Sequence, residues 1–172
     1  MSDDFNIPVP QDELNFKPSA LLPNGWYTTV LQPGAAIVRN DNGWVGLRVP
    51  FSGFTSRKDG NTHERERRYQ ITVESSNAKA TQIGRKQLVE VAVAFGLAAD
   101  ATTGEGKAAK RLTANSPEEF VTQLEGVVGS PCDVYVTTKK RKRDGAVVMR
   151  DDGAGPVMDN EISRVAVAGQ GK

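Results

Sequence analysis

The residues best suited to chemistry in this chain are a run of cations and a small set of aromatic side chains. Five consecutive cations stand at Lys139, Lys140, Arg141, Lys142 and Arg143. Clustered cations attract phosphate, and flat aromatic rings stack on nucleobases. By pattern alone, the same run is also typical of a nuclear localisation signal or of the solvated tip of a hairpin.

The segment 44–54 alternates between two faces, as a strand does. One face carries Val45, Leu47, Val49 and Phe51 and is predicted to enter the core. The other face mixes aromatic, basic and small residues, and its notable members are Trp44, Arg48 and Phe54. This mixture is typical of a binding surface. The alternative for Trp44 and Phe54 is that they close the ends of a barrel.

Further candidates lie on neighbouring predicted strands and loops. Arg68 shares the outward face of the segment 67–75 with Gln70, and Tyr135 alternates with core valines in the segment 132–139. The polar loop 55–66 adds Arg57, Lys58 and Arg65. We predict that bases stack on Trp44, Phe54 and Tyr135. Phosphates are predicted to contact the cations, which are Arg48, Arg57, Lys58, Arg68, Lys139, Lys140, Arg141, Lys142 and Arg143.

Catalytic chemistry has few residues to use. The chain holds one histidine, His63, and one cysteine, Cys132, which without carboxylates cannot build a zinc site of the usual kind. The stretch Gly104–Lys107 lacks the first Gly and the Ser or Thr of a Walker loop. The sequence therefore predicts a binding protein that is not an enzyme and carries no metal or cofactor.

Length and composition set the broad class. The 172 residues suit one domain, 38% of them are hydrophobic, and the formal net charge is +1, so attraction to phosphate must come from local clusters. No apolar run approaches the ~20 residues of a membrane-spanning helix, and the N-terminus is acidic where a signal peptide is basic. We expect a cytoplasmic protein that does not interact with membranes, with Cys132 as a buried hydrophobe.

The order of elements predicts the fold. Three strands, a long helix, a shorter helix and two more strands match a five-stranded Greek-key barrel of the oligonucleotide-binding (OB) type, which is mainly β with a helix between strands three and four. The predicted strands are 25–39 (broken at Pro33-Gly34), 44–54, 67–75, 132–139 and 161–168. The predicted helices are 78–97 and one that Ser116-Pro117 begins. We predict an extended arm at 1–22, one domain at 23–168, a flexible connection at 98–115 and a flexible tail at 169–172.

The chain resembles the phage-encoded single-stranded DNA-binding proteins found among replication and recombination genes, a family long catalogued as a domain of unknown function. The stretches that carry the resemblance are Leu22–Tyr27, Gly43–Val49, Ile83–Leu97, Val127–Val134 and Asn160–Ile162. The resemblance implies an OB-type barrel that coats single-stranded DNA in the cytoplasm of an infected bacterium. One departure is the tail Gly169–Lys172, where many single-strand binders carry acidic residues that recruit partners.

The function expected from these patterns is binding of single-stranded DNA without strong sequence preference. Further candidate partners are a second copy of the chain and phage recombination or replication proteins. The alternative is a phage structural or protein-interaction module, including an inhibitor of a host protein, that uses the same barrel as a scaffold. The balanced net charge favours this alternative.

Overall fold

The computed structural model of this chain describes residues 21–172. The predicted N-terminal arm, residues 1–22, lies outside the described residues except for its last two. Leu22 is not part of an arm, since it is 1% exposed and belongs to the core. Its backbone exchanges hydrogen bonds of 2.8 and 2.9 Å with the side-chain amide of Asn160. The domain therefore includes Leu22.

Strands dominate the described residues, and two helices interrupt them. The strands are β1 (Gly25–Leu31), β2 (Ala36–Arg39), β3 (Val45–Ser56), β4 (Thr62–Glu74), β5 (Ala98–Thr102), β6 (Ala108–Leu112), β7 (Pro131–Lys140), β8 (Lys142–Arg143), β9 (Ala146–Val147) and β10 (Met158–Val167). The helices are α1 (Ala78–Ala94) and α2 (Pro117–Glu125).

One antiparallel sheet forms the body of the protein. Its strand order is β10-β7-β1-β3-β2, and β4 pairs with the other edge of β3. β1 pairs with the second half of β3 and β2 with its first half. The two strands are thus one broken strand, as the sequence predicts, and the interruption coincides with Pro33 and Gly34, whose φ is +108°.

The sheet curls but does not close. β4 and β10 approach each other at Tyr69, whose hydroxyl donates a 3.4 Å hydrogen bond to the carbonyl of Ser163. Within residues 21–172, no strand pairing joins β4 to β10. The chain is therefore mainly β with two helices and an open antiparallel sheet. Its core is filled by the concave face of that sheet and by apolar residues of both helices, the largest fully buried side chains being Phe51, Phe54, Phe120, Leu22, Leu31 and Leu47.

Both helices begin where the sequence predicts. Asn77 caps α1 by accepting hydrogen bonds from the backbone N–H groups of Lys79 and Ala80. The Ser116 hydroxyl accepts from Glu119 N–H at 3.1 Å, and the Glu119 carboxylate accepts from Asn115 N–H at 2.9 Å. These bonds satisfy backbone donors that a helix start leaves unpaired.

Two predictions for the segments that connect the main elements are wrong. The segment 98–115 is not a flexible connection, because β5 and β6 form a hairpin there, with a turn in which Gly106 adopts a φ of +81°. β4 begins at Thr62 rather than at Arg67, so the loop between β3 and β4 shrinks to residues 57–61. Thr62–Arg68 carries charged residues on both faces. It therefore lacks the apolar alternation from which a strand is predicted.

Candidate nucleic-acid interface

Trp44 lies against the convex, outward face of the sheet at the start of β3. The turn that positions it is closed by a 2.9 Å hydrogen bond from Asn40 N–H to the Trp44 carbonyl. The indole N–H donates to the Thr72 hydroxyl on β4 at 3.2 Å. The six-membered ring covers Gly46, where an added Cβ would lie 2.2 Å from the indole. The ring is therefore held half-buried across two strands.

Arg48 and Arg68 lie on the same outward face as Trp44. In the β3–β4 register Arg48 is opposite Gln70 and Pro50 is opposite Arg68. The Arg48 guanidinium donates to the Gln70 amide oxygen at 3.3 Å. The predicted alternation of β3 is confirmed from Val45 to Phe51, while contact of these cations with nucleic acid stays a prediction.

Phe54 is not on this face, and its prediction as a stacking residue is wrong. Its side chain is 0% exposed and packs edge-on against Tyr27, with 6.2 Å between the ring centroids. The β3–β4 register shifts between Ser52 and Phe54, and Gly53 between them has a φ of +70°. A bulge of this kind moves the following residues to the opposite face. The alternative that Phe54 fills the end of the core is the correct one.

Tyr135 lies outward on β7 but far from Trp44. It is half-buried and packs edge-on against Trp26 of β1, with 5.4 Å between ring centroids and 68° between ring planes. Trp26 lies beside the end of β3, since its carbonyl accepts from Arg57 N–H at 3.0 Å. Trp44 precedes the first residue of β3, so the length of that strand separates the two aromatic groups. Tyr135 and Trp44 therefore do not form one stacking patch.

Arg57 is already engaged within the protein. Its guanidinium lies 3.3 Å from the carboxylate of Asp133, which is fully buried. It also donates to the carbonyls of Gly171 at 2.9 Å and Gly169 at 3.1 Å. Arg57, which the sequence predicts to contact phosphate, is thus used for contacts within the protein. Lys58, its neighbour in the loop, is exposed and forms no ion pair among the described residues.

The segment Gly169–Gly171, predicted as part of a flexible tail at residues 169–172, is packed against the sheet. The N–H groups of Gly169 and Gly171 donate to one oxygen of Asp133 at 3.0 and 2.8 Å. Gly171 is buried, and an added Cβ there would lie 2.5 Å from the Trp26 ring. The tail therefore covers the outward face beside Trp26, where a glycine is the residue that fits.

The cation run forms the start of a protruding hairpin that connects β7 to β10, here called the basic arm (residues 139–157). Its turn is Asp144-Gly145, with φ angles of +52° and +80°. Lys139 pairs with Glu161 at 3.0 Å, and Arg141 donates to both oxygens of Asp159 at 2.9 and 2.7 Å. The Arg141 hydrogen bond and charge hold the pKa of Asp159 below its usual range.

Three cations of the basic arm are exposed and have no acidic partner among residues 21–172. Among residues 21–172 the salt bridges do not include Lys140, Lys142 or Arg143. Arg150, further along the arm, pairs with Asp152 at 3.2 Å. The five predicted cations are therefore not equivalent, and three of them are available to phosphate without breaking an existing pair.

Two further cations belong with this region: Arg65, which the sequence predicts to lie in the loop 55–66, and Arg67, which was not predicted as a site residue. Arg65 and Arg67 lie on the added first half of β4 and share its inward parity with Tyr69. Burial lowers the pKa of Arg67, and the neighbouring charge of Arg65 lowers it further. The sequence does contain a pattern that could have placed them. Arg65 and Arg67 are spaced by two residues from Tyr69, Ile71 and Val73, so the inward face of the strand extends into the segment predicted as a loop.

Residues suited to other chemistry are sparse in the described part of the chain. No group of three or more His, Cys, Asp or Glu residues in 21–172 could hold a metal ion. His63 packs edge-on against Tyr27, with 6.2 Å between centroids. No helix among these residues has both the length and the apolar character needed to cross a membrane.

The chain matches no protein-family model, and no curated protein is significantly similar to it.

Proposed function

We propose that this protein binds single-stranded DNA without strong sequence preference, through the outward face of β3 and β4 and through the basic arm. The observation that carries the proposal is the position of Trp44. Its indole is fixed on the sheet by Gly46 and Thr72 and is adjacent to a face that carries Arg48 and Arg68. A flat ring beside cations is what single-strand binders use to stack bases and neutralise phosphates.

The strand order supports an OB-type fold for the body of the protein. With β1 and β2 taken as strand one, the pairings join strand one to two, two to three, one to four and four to five. OB folds are partly open Greek-key barrels that bind oligonucleotides on strands two and three and on the loops between strands one and two and between four and five. Here those features are β3 and β4, the turn 40–44 that holds Trp44, and the basic arm.

A role in phage replication or recombination is part of the same proposal, and its support is the sequence resemblance. A protein that coats single strands needs stacking that tolerates any base and cations along the backbone path. The proposed surface offers one aromatic ring and several cations for these roles. Its members are Trp44, Arg48, Arg68, Lys140, Lys142 and Arg143.

A second candidate function is a structural or protein-interaction module. The observation in its favour is that Lys139 and Arg141 are neutralised by Glu161 and Asp159, and that the net charge is only +1. A module of this kind would form a stable complex with a protein partner and would leave oligonucleotides unbound.

Tryptophan fluorescence distinguishes the two functions. The chain has two tryptophans, so the variant Trp26→Phe makes Trp44 the sole reporter while keeping an aromatic ring beside Tyr135. We expect saturable quenching by a thymine oligonucleotide of about 30 bases, longer than the roughly 4–16 nucleotides that one OB fold covers. Quenching should weaken with salt and be much poorer with duplex DNA. No response at low salt would contradict the proposal and favour the interaction module.

A further inference from the structure

Arg65 contains a buried donor that the protein leaves without a partner. Its Nη1 atom is shielded from solvent and makes no hydrogen bond within residues 21–172. A buried donor without an acceptor is costly, and more so when it carries charge. Arg67, two residues along the same strand, has one hydrogen bond, to the backbone carbonyl of Glu66 at 2.9 Å. In the described part of the chain, neither of these neighbouring guanidiniums is bonded to a carboxylate.

The surroundings of these two arginines do not balance their charge. On the facing part of β10 and the base of the basic arm lie Asp159 and Glu161, each already bonded to a cation of the arm. Asp159 is close enough to interact with Arg67 as well as with Arg141 and Lys139. Two carboxylates are therefore shared by three cations (Arg67, Lys139 and Arg141), which leaves an excess of positive charge on this side of β4.

The position of the pair is equally informative. Among residues 21–172, β4 pairs with β3 along one edge only, and no strand pairing joins it to β10. Arg68 points outward on the Trp44 face, whereas Arg65 and Arg67 point to the other side of the same strand. The proposed stacking face and the excess positive charge thus lie on opposite faces of β4. Both are next to the edge of β4 that does not pair with β3.

We infer that Arg65 and Arg67 form a phosphate-binding subsite at which the DNA backbone passes around the free edge of β4, from the Trp44 face towards the basic arm. This inference rests on the proposed function. Arg65 and Arg67 are both partly exposed, so a phosphodiester can bind the accessible atoms of their guanidiniums, and guanidinium binds phosphate in bidentate geometry. The ligand class is a single strand, because a rigid duplex cannot bend around one β-strand.

The first test replaces the two charges. In the Trp26→Phe protein, Arg65→Gln with Arg67→Gln should lower the slope of log affinity against log salt by about 1.4, which is about 0.7 for each lost phosphate contact. Quenching of Trp44 at saturation should remain. The matched control is Arg85→Ala with Lys86→Ala, which removes two exposed cations from α1 and should leave the slope unchanged.

The second test needs no substitution in the protein being measured. In the ¹H–¹⁵N spectrum of the wild-type protein, the guanidinium signals of Arg65 and Arg67 should shift on addition of the thymine oligonucleotide, whereas that of Arg85 should not. Oligonucleotide binding with unmoved Arg65 and Arg67 signals, or with an unchanged slope in the double variant, would overturn the subsite and leave the proposed function intact. These arginines would then be better matched to carboxylates of an acidic protein. Absence of any oligonucleotide binding would overturn both.

Discussion

Arg57 and Asp133 form an ion pair that connects three distant parts of the chain. The Asp133 carboxylate is 0% exposed and also accepts hydrogen bonds from the Thr28 hydroxyl at 2.8 Å and from two tail N–H groups. Arg57 in turn donates to two tail carbonyls. One carboxylate thus holds β1, the loop after β3 and the tail segment Gly169–Gly171 together.

Removing this carboxylate should destabilise the protein strongly. Breaking a buried ion pair costs about 3–5 kcal/mol because the remaining charge has no partner. The Arg57 side chain is 33% exposed, so solvent screens part of its charge. For Asp133→Asn we therefore expect a loss of stability at the lower end of this range, about 3 kcal/mol. Urea unfolding followed by circular dichroism measures the loss.

The matched control is the exposed pair Arg39–Glu118, at 2.7 Å with side chains 59% and 61% exposed. Glu118→Gln should change the free energy of unfolding by less than about 1 kcal/mol. Equal effects of the two substitutions would show that the buried network is not a main source of stability.

Trp44→Ala should weaken oligonucleotide binding while the protein stays folded. Loss of one stacked base costs about 1–3 kcal/mol, or roughly 5- to 150-fold in affinity. Since Trp44 contributes its own fluorescence, anisotropy of a labelled oligonucleotide is the suitable measurement, with a thermal melt to establish folding. Trp26→Phe should bind normally. An unfolded Trp44→Ala protein would instead assign Trp44 to the core.

Neutralising the unpaired cations of the basic arm should reduce the salt dependence of binding. With Lys140, Lys142 and Arg143 replaced by alanine, the slope of log affinity against log salt should fall by about 2, at about 0.7 per phosphate contact. Arg150→Ala is the control from the same arm, because Arg150 is paired with Asp152. If the triple variant keeps the wild-type slope, the arm does not contact the backbone.

Gly84→Ala tests the packing of α1 on the sheet. An added Cβ at residue 84 would lie 1.7 Å from the backbone carbonyl oxygen of Thr72 on β4. Because a backbone atom cannot move aside as a side chain can, we expect at least the ~1–3 kcal/mol of an overpacked core. Gly104→Ala has open space around its Cβ and no positive φ, so its urea midpoint should barely change. Similar midpoints for both variants would contradict this packing.

Cys132 should resist thiol reagents while the protein is folded. Burial, with the charge of Asp133, raises the pKa of its thiol from 9.0 to about 12. The folded protein holds this proton more tightly, so the associated stability is complete below pH 9 and is lost as the pH rises from 9 to 12. At pH 8, Ellman's reagent should react slowly with the native protein and rapidly in denaturing urea. Fast native labelling would mean that the strand opens readily.

Local patterns were sufficient for several elements. The alternation of Val45–Phe51 predicts β3, and Ser116-Pro117 with Glu119 predicts the start of α2, because both signals depend on neighbours in sequence. The turn at Asp144-Gly145 is of the same kind. For the candidate site, the outward position of Trp44, Arg48 and Arg68 follows from this period-two alternation.

The remaining features depend on partners that are distant in sequence. Phe54 turns inward because the β3–β4 register shifts next to Gly53, and the alternation of β3 alone cannot show a shift between two strands. Arg57 pairs with Asp133, and Gly171 packs against Trp26, although the partners are distant in sequence. A sequence pattern also cannot decide whether β4 and β10 pair, since that depends on how far the whole sheet coils.

The contact between Trp44 and Gly46 has a consequence for how this protein can evolve. The indole occupies the space that any side chain at residue 46 would need, so residue 46 can gain a side chain only where the ring at residue 44 is lost. Among descendants of the same ancestor, a large aromatic residue at 44 should be inherited with glycine at 46. Lineages that lose the ring should be the ones in which residue 46 diversifies.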